Sequence, residues 1–80
     1  MEFKTAIELI TKEFIKATRD HKPFNSFHEG YAVILEEMDE LWEAIRSIKY
    51  KNQQSSKIRE EAVQVAAMAI RFLCDLIEEE

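Results

Sequence analysis

The sequence predicts an all-α fold, and three observations predict it. Apolar residues recur at spacings of three and four along three separate stretches, as one face of an α-helix requires. One glycine and one proline in 80 residues are too few turn formers for a chain of short strands. Hydrophobic residues make up 46% of the chain, more apolar surface than so short a monomer buries by itself. The expected architecture is a single helical domain over 1–80. Its three helices lean antiparallel and complete a four-helix-type bundle by oligomerisation.

The first helix is expected from about Glu2 to Thr18, on Phe3, Ala6, Ile7, Ile10, Phe14 and Ile15. Lys12, Lys16 and Arg19 bias its end toward positive charge, which suits the helix dipole. Pro23 ends the pattern, because it disfavours helix at the residue before it. Ser26 and Glu29 then read as a capping box. The second helix follows to about Tyr50, with the stripe Tyr31, Ile34, Leu35, Met38, Leu41, Trp42, Ile45 and Ile48. Its spacing, near 3.5, is that of a helix packed lengthwise on partners, so Trp42 is expected in the core. Gly30 falls in the first turn, where its cost to the helix is tolerable. The polar run 51–56 reads as a loop, with Ser55 or Ser56 as cap. The third helix is expected from about Lys57 to Glu78. It is apolar nearly all round, and so expected to be buried on several sides.

Charge and composition exclude several classes. The net charge is −5, from 11 Lys+Arg against 16 Asp+Glu, and gives no basic face for a nucleic acid duplex. No apolar run reaches the length of a membrane span. Met1-Glu2-Phe3-Lys4 lacks the pattern of a secretory leader. The lone Cys74 forms no internal disulfide and fits a reducing compartment. A cytoplasmic location is therefore expected.

The feature that asks for chemistry is an acidic block. Glu36, Glu37, Asp39, Glu40 and Glu43 put five acids in eight residues. Its helical neighbours make five like-charged pairs, each costing roughly 0.2–0.5 kcal/mol. Arg46 is the first cation after it. On a helical wheel Glu37 and Glu40 border a second strip of small apolar residues, Gly30, Val33 and Ala44. A neighbouring helix on that strip holds both carboxylates close. Glu61 and Gln64 share one face of the third helix, and antiparallel packing brings them beside Glu37 and Glu40. Such a cluster is a hard-oxygen site suited to Mg²⁺ or Mn²⁺. Neither His21 nor His28 follows a Glu at the spacing a di-iron site uses. The plain alternative is a solvated acidic face.

Glu36-Glu37-x-x-Glu40, twenty residues, then Glu61-x-x-Gln64 resembles the Glu-Glu-x-x-Glu…Glu-x-x-Asp signature of the MazG-like all-α nucleotide pyrophosphohydrolases. The flanks Phe27–Ile34 and Val65–Phe72 are similar to those of its small phage and bacterial members, and the likeness covers about residues 26 to 77. The resemblance implies a helical dimer or tetramer. It also implies Mg²⁺-dependent hydrolysis of a nucleoside triphosphate to the monophosphate and pyrophosphate, a nucleotide-pool activity. It assigns Glu37, Glu40 and Glu61 as metal ligands, with Glu36 on a further metal or orienting the attacking water. Gln64 departs from the pattern, which has Asp there. The departure keeps open a non-catalytic oligomeric module of the same fold, binding a nucleotide, a metal or a protein partner.

Other residues are weaker candidates. His28, at the start of the second helix, and Lys57 and Arg59, at the start of the third, are candidate substrate contacts. His21 reads as surface, Cys74 as inert. Arg71, four before Asp75, reads as one half of a structural ion pair.

Overall fold

The computed structural model describes residues 1–48 and 55–79. Three helices run in order, α1 Phe3–Asp20, α2 Phe27–Arg46 and α3 Ser56–Leu76. There is no strand among the described residues. Helix α3 is the middle element. It packs on α1 along one side and on α2 along another, while α1 and α2 do not pack on each other.

Local chemistry explains each boundary. The His21 N–H returns to the Ala17 carbonyl at 3.0 Å, and the Pro23 turn follows. Phe24 is then buried as a plug under α3, its N–H donating to Asp75 Oδ2 at 3.0 Å. At α2 the capping box is realised with a one-residue offset. Ser26 Oγ accepts from Glu29 N–H at 3.0 Å. The Glu29 carboxylate accepts from Asn25 N–H at 2.8 Å, rather than from Ser26. Helix α2 ends at Arg46, where Ser47 Oγ bonds back to the Ala44 carbonyl at 2.8 Å. The expected extension toward Tyr50 and most of the 51–56 loop lie outside the described residues. Ser55 occupies the N-cap place of α3 but makes no side-chain cap bond. Its backbone is not in the extended conformation a capping side chain needs.

The core is thin. Ala17, Phe24, Ala67 and Met68 form its buried centre, with Ile10, Phe14, Val33, Ile34, Phe72 and Leu76 packed around them. Trp42, expected in the core, is 57% exposed in the single chain, and Tyr31, Leu35, Met38 and Ile45 of the same seam are exposed as well. The face turned to α3 is the small-residue strip that carries Glu37 and Glu40, as the helical wheel leads one to expect. Gly30 and Ala44 are buried there, because small side chains let two helix backbones approach closely. A Cβ at Gly30 would lie 2.6 Å from Phe72 Cδ2 and 3.0 Å from Leu76 Cδ1. Nor is α3 covered all round within the single chain, since Ile70 and Leu73 are exposed, as is Cys74. The radius of gyration, 13.9 Å, exceeds the roughly 12 Å of a compact chain this long.

Candidate metal centre

The small-residue strip of α2 carries two acids with it. Glu37 and Glu40, three residues apart, share the side of α2 that meets the first two turns of α3. Glu61 stands on α3 opposite them. One carboxylate oxygen from each of Glu37, Glu40 and Glu61 lies within 4.8 Å of the other two. Two oxygens on one ion, each bound at about 2.0–2.6 Å, stand at most roughly 4–5 Å apart. The group is therefore of the size one divalent ion draws together.

Burial makes this more than a charged surface. Glu61 is only 5% exposed. Its Oε1 receives Lys57 Nζ at 2.7 Å, while its Oε2 is buried and has no protein partner. Glu37 Oε2 is likewise buried and unpartnered. A desolvated carboxylate oxygen without a donor is costly. The Glu37 carboxyl responds, its pKa pushed up from 4.5 to about 7. Burial is the chief cause, followed by the charges of Glu40 and Glu61, a hydrogen bond with Glu40 and the charge of Glu36. The Lys57 ammonium is held above its ordinary value, chiefly by its hydrogen bond to Glu61. Orphaned buried oxygens in an all-oxygen donor set fit a hard divalent cation such as Mg²⁺ or Mn²⁺.

The remaining candidates fall into three places. Glu36 lines the outer groove between α2 and α3 with Asp39, Glu40, Glu43, Lys57 and Glu61, beside the three carboxylates but outside their group. Gln64 is turned toward α1, where its Nε2 donates to Glu13 Oε1 at 2.6 Å. It lines a cleft that Glu37 also lines. Lys57 and Arg59 line a cleft of about 770 Å³ between α1 and α3, which also reaches Glu61 and Gln64. His28 lies apart, in an apolar recess with Phe27, Tyr31 and Phe72.

Sequence reasoning missed the contribution of α1. Lys12, Lys16 and Arg19 face the same cleft as Lys57 and Arg59. The sequence signal was present, since Lys12 and Lys16 are one turn apart and share a face. It was read only as a complement to the helix dipole. Glu13, the partner of Gln64, carried no signal of its own.

The chain matches no family model, no curated protein and no solved structure. The fold and the site define a three-helix chain with a carboxylate centre between α2 and α3.

Proposed function

We propose that the chain is a divalent-cation-dependent nucleotide pyrophosphohydrolase, cleaving a nucleoside triphosphate to the monophosphate and pyrophosphate. The observation that carries this is Glu61, a buried carboxylate with one oxygen unpartnered, facing Glu37 and Glu40. These three side chains would hold the ion, as the resemblance to MazG-like enzymes implies. A bound Mg²⁺ or Mn²⁺ supplies neutralisation of the polyphosphate charge and a more acidic water.

The chain's own groups supply the rest. Lys12, Lys16, Arg19 and Arg59 line the cleft beside Glu61, and give a polyphosphate a row of cations against which to align. Glu37, raised to about 7 without metal, would lose its proton to become a ligand, so it is not the group that takes a proton from the attacking water. Glu36, on the outer groove, is placed to orient that water.

Assembly belongs to the same reading. Phe27, Tyr31, Leu35, Met38, Trp42 and Ile45 leave a long apolar stripe exposed on α2, the kind of surface that marks an interaction face. A second copy covering it completes a four-helix core, as a dimer or tetramer.

A second reading, a non-catalytic oligomeric module, is favoured by Gln64. It stands where the signature has Asp, and its amide is engaged by Glu13. One experiment separates the two. A panel of nucleoside triphosphates is incubated with Mg²⁺ or Mn²⁺ and the products are resolved by ion-exchange chromatography. Monophosphate and pyrophosphate from wild type, absent with Glu40→Gln, support the enzyme. No turnover of any nucleotide at high protein concentration leaves the module.

A further inference from the structure

Lys57 is an odd residue for its position. It is the second residue of α3, where the positive end of the helix dipole disfavours a cation. Its acid partner Glu61 follows one turn later, the weaker order for an ion pair along a helix. Local helix physics therefore gives little reason for this lysine. What it touches gives one. Its Nζ lies 2.7 Å from Oε1 of Glu61, whose Oε2 is buried and unpartnered and whose carboxylate is one of the three that meet between α2 and α3.

The pair is also lopsided. The Lys57 side chain is 66% exposed and that of Glu61 only 7%. The cation thus reaches in from solvent on a flexible stem, while the anion is fixed. Lys57 has a second acid in reach, Glu60 Oε2 at 3.9 Å, itself 65% exposed. It also lines both neighbouring spaces, the acidic α2–α3 groove and the basic α1–α3 cleft.

We infer that Lys57 is a tethered, displaceable cation of the carboxylate centre. It holds Glu61 while no divalent ion is present and yields that carboxylate when one binds, turning to Glu60 and the α1–α3 cleft. The inference rests on the metal reading of Glu37, Glu40 and Glu61. Two consequences follow. A monovalent ion replaces one positive charge with another and gains nothing, so the lysine makes the centre selective for doubly charged ions. The released ammonium, no longer paired with Glu61, adds its charge to Lys12, Lys16, Arg19 and Arg59 in the cleft that it already lines.

The test uses the full chain and the metal alone. Calorimetric titration with Mn²⁺ compares wild type with Lys57→Met, which keeps the stem and removes the competing charge. The variant is expected to bind roughly two- to fivefold tighter, the scale of a modest ion pair removed from competition. In parallel, ¹⁵N spectra of the lysine ammonium groups follow Lys57 in the wild-type protein during Mg²⁺ titration, and need no variant. The Lys57 signal is expected to lose its slowed solvent exchange on saturation. Equal or weaker Mn²⁺ binding by Lys57→Met overturns the inference and leaves the metal centre standing. A Lys57 signal unmoved at Mg²⁺ saturation also overturns it, even if the variant binds tighter, since a simple change of nearby charge then suffices. No binding of Mn²⁺ by either protein overturns the metal centre, and this inference with it.

Discussion

Helix α3 buries two charges, ten residues apart, and treats them oppositely. Arg71, 4% exposed, is almost wholly provided for by the chain. Its guanidinium donates to the Lys22 carbonyl at 2.9 Å, lies over the Phe24 ring at 4.3 Å and stands 4.0 Å from Asp75 Oδ2, leaving only Nε without a partner. Asp75 in turn accepts the Phe24 N–H. Glu61 is buried to the same degree, but faces two further carboxylates and meets only the tip of an exposed lysine. A buried charge finished by its own chain is structural. One left unfinished asks for something from outside, and this contrast is the main physical case for a ligand between α2 and α3.

The contrast predicts opposite responses to neutralisation. Arg71→Ala leaves the Lys22 carbonyl and Asp75 short of a donor and empties space under Phe24. It is expected to cost about 3–5 kcal/mol, the scale of breaking a buried pair, read by urea denaturation. A loss under 1 kcal/mol would show that Arg71 is not the completed end of the comparison.

How far this was legible in the sequence depends on the kind of contact. The Arg71–Asp75 pair was readable because both partners lie one turn apart on one helix. So was the meeting of Glu37 and Glu40 with Glu61, because helical periodicity and one antiparallel turn suffice to align them. The contact face of α2 was readable from the same wheel, since the small-residue strip that carries Glu37 and Glu40 is the one turned to α3. What periodicity could not say is what covers the other strip, and Trp42, expected in the core, is exposed in the single chain. Gln64 with Glu13, and the Phe24 plug, join residues about fifty apart, and no local pattern carries such a pairing.

Gly30→Ala tests which strip of α2 is the packed one. Alanine is the better helix former by about 1 kcal/mol, so a solvent-facing Gly30 would gain stability. Here the added methyl meets Phe72 and Leu76 closer than van der Waals distance. A net loss of about 1–2 kcal/mol is expected, as for an overpacked core. A gain on thermal denaturation would show that the small-residue strip is not the packed one.

At the unfinished end, neutralisation should help. Glu61→Gln removes one charge from a group of three carboxylates and is expected to stabilise the metal-free chain by about 1 kcal/mol, while abolishing any rise in Tm with Mn²⁺. The pH dependence sharpens this. The Glu37 carboxyl is raised in the folded chain from 4.5 to about 7. The protonated form is the favoured one, so its contribution is complete below pH 4.5 and is lost as pH rises through about 7. The metal-free Tm should fall between pH 5 and pH 8. In Glu61→Gln, which lacks one of the charges that raise Glu37, the fall should be shallower. An identical pH profile in both proteins would separate Glu61 from the site.

A comparably small effect is expected at Gln64, the neutral residue one turn beyond Glu61. Gln64→Asp removes the amide that donates to Glu13 at 2.6 Å and sets a second acid near that carboxylate. Without metal this should cost about 0.5–1.5 kcal/mol, the worth of one hydrogen bond. Adding Glu13→Gln should recover part of it, because the amide can then serve the new carboxylate. With metal the direction reverses. Gln64 lines the cleft that Glu37 lines and sits one turn from Glu61, and an anionic oxygen is a better donor to a hard cation than an amide. The shorter aspartate gives up some of this reach. Mn²⁺ affinity is expected to rise a few-fold, and any hydrolysis to hold level or increase. If titration shows the stability loss with no change in Mn²⁺ affinity, Gln64 belongs to the packing of α1 on α3 rather than to the carboxylate centre.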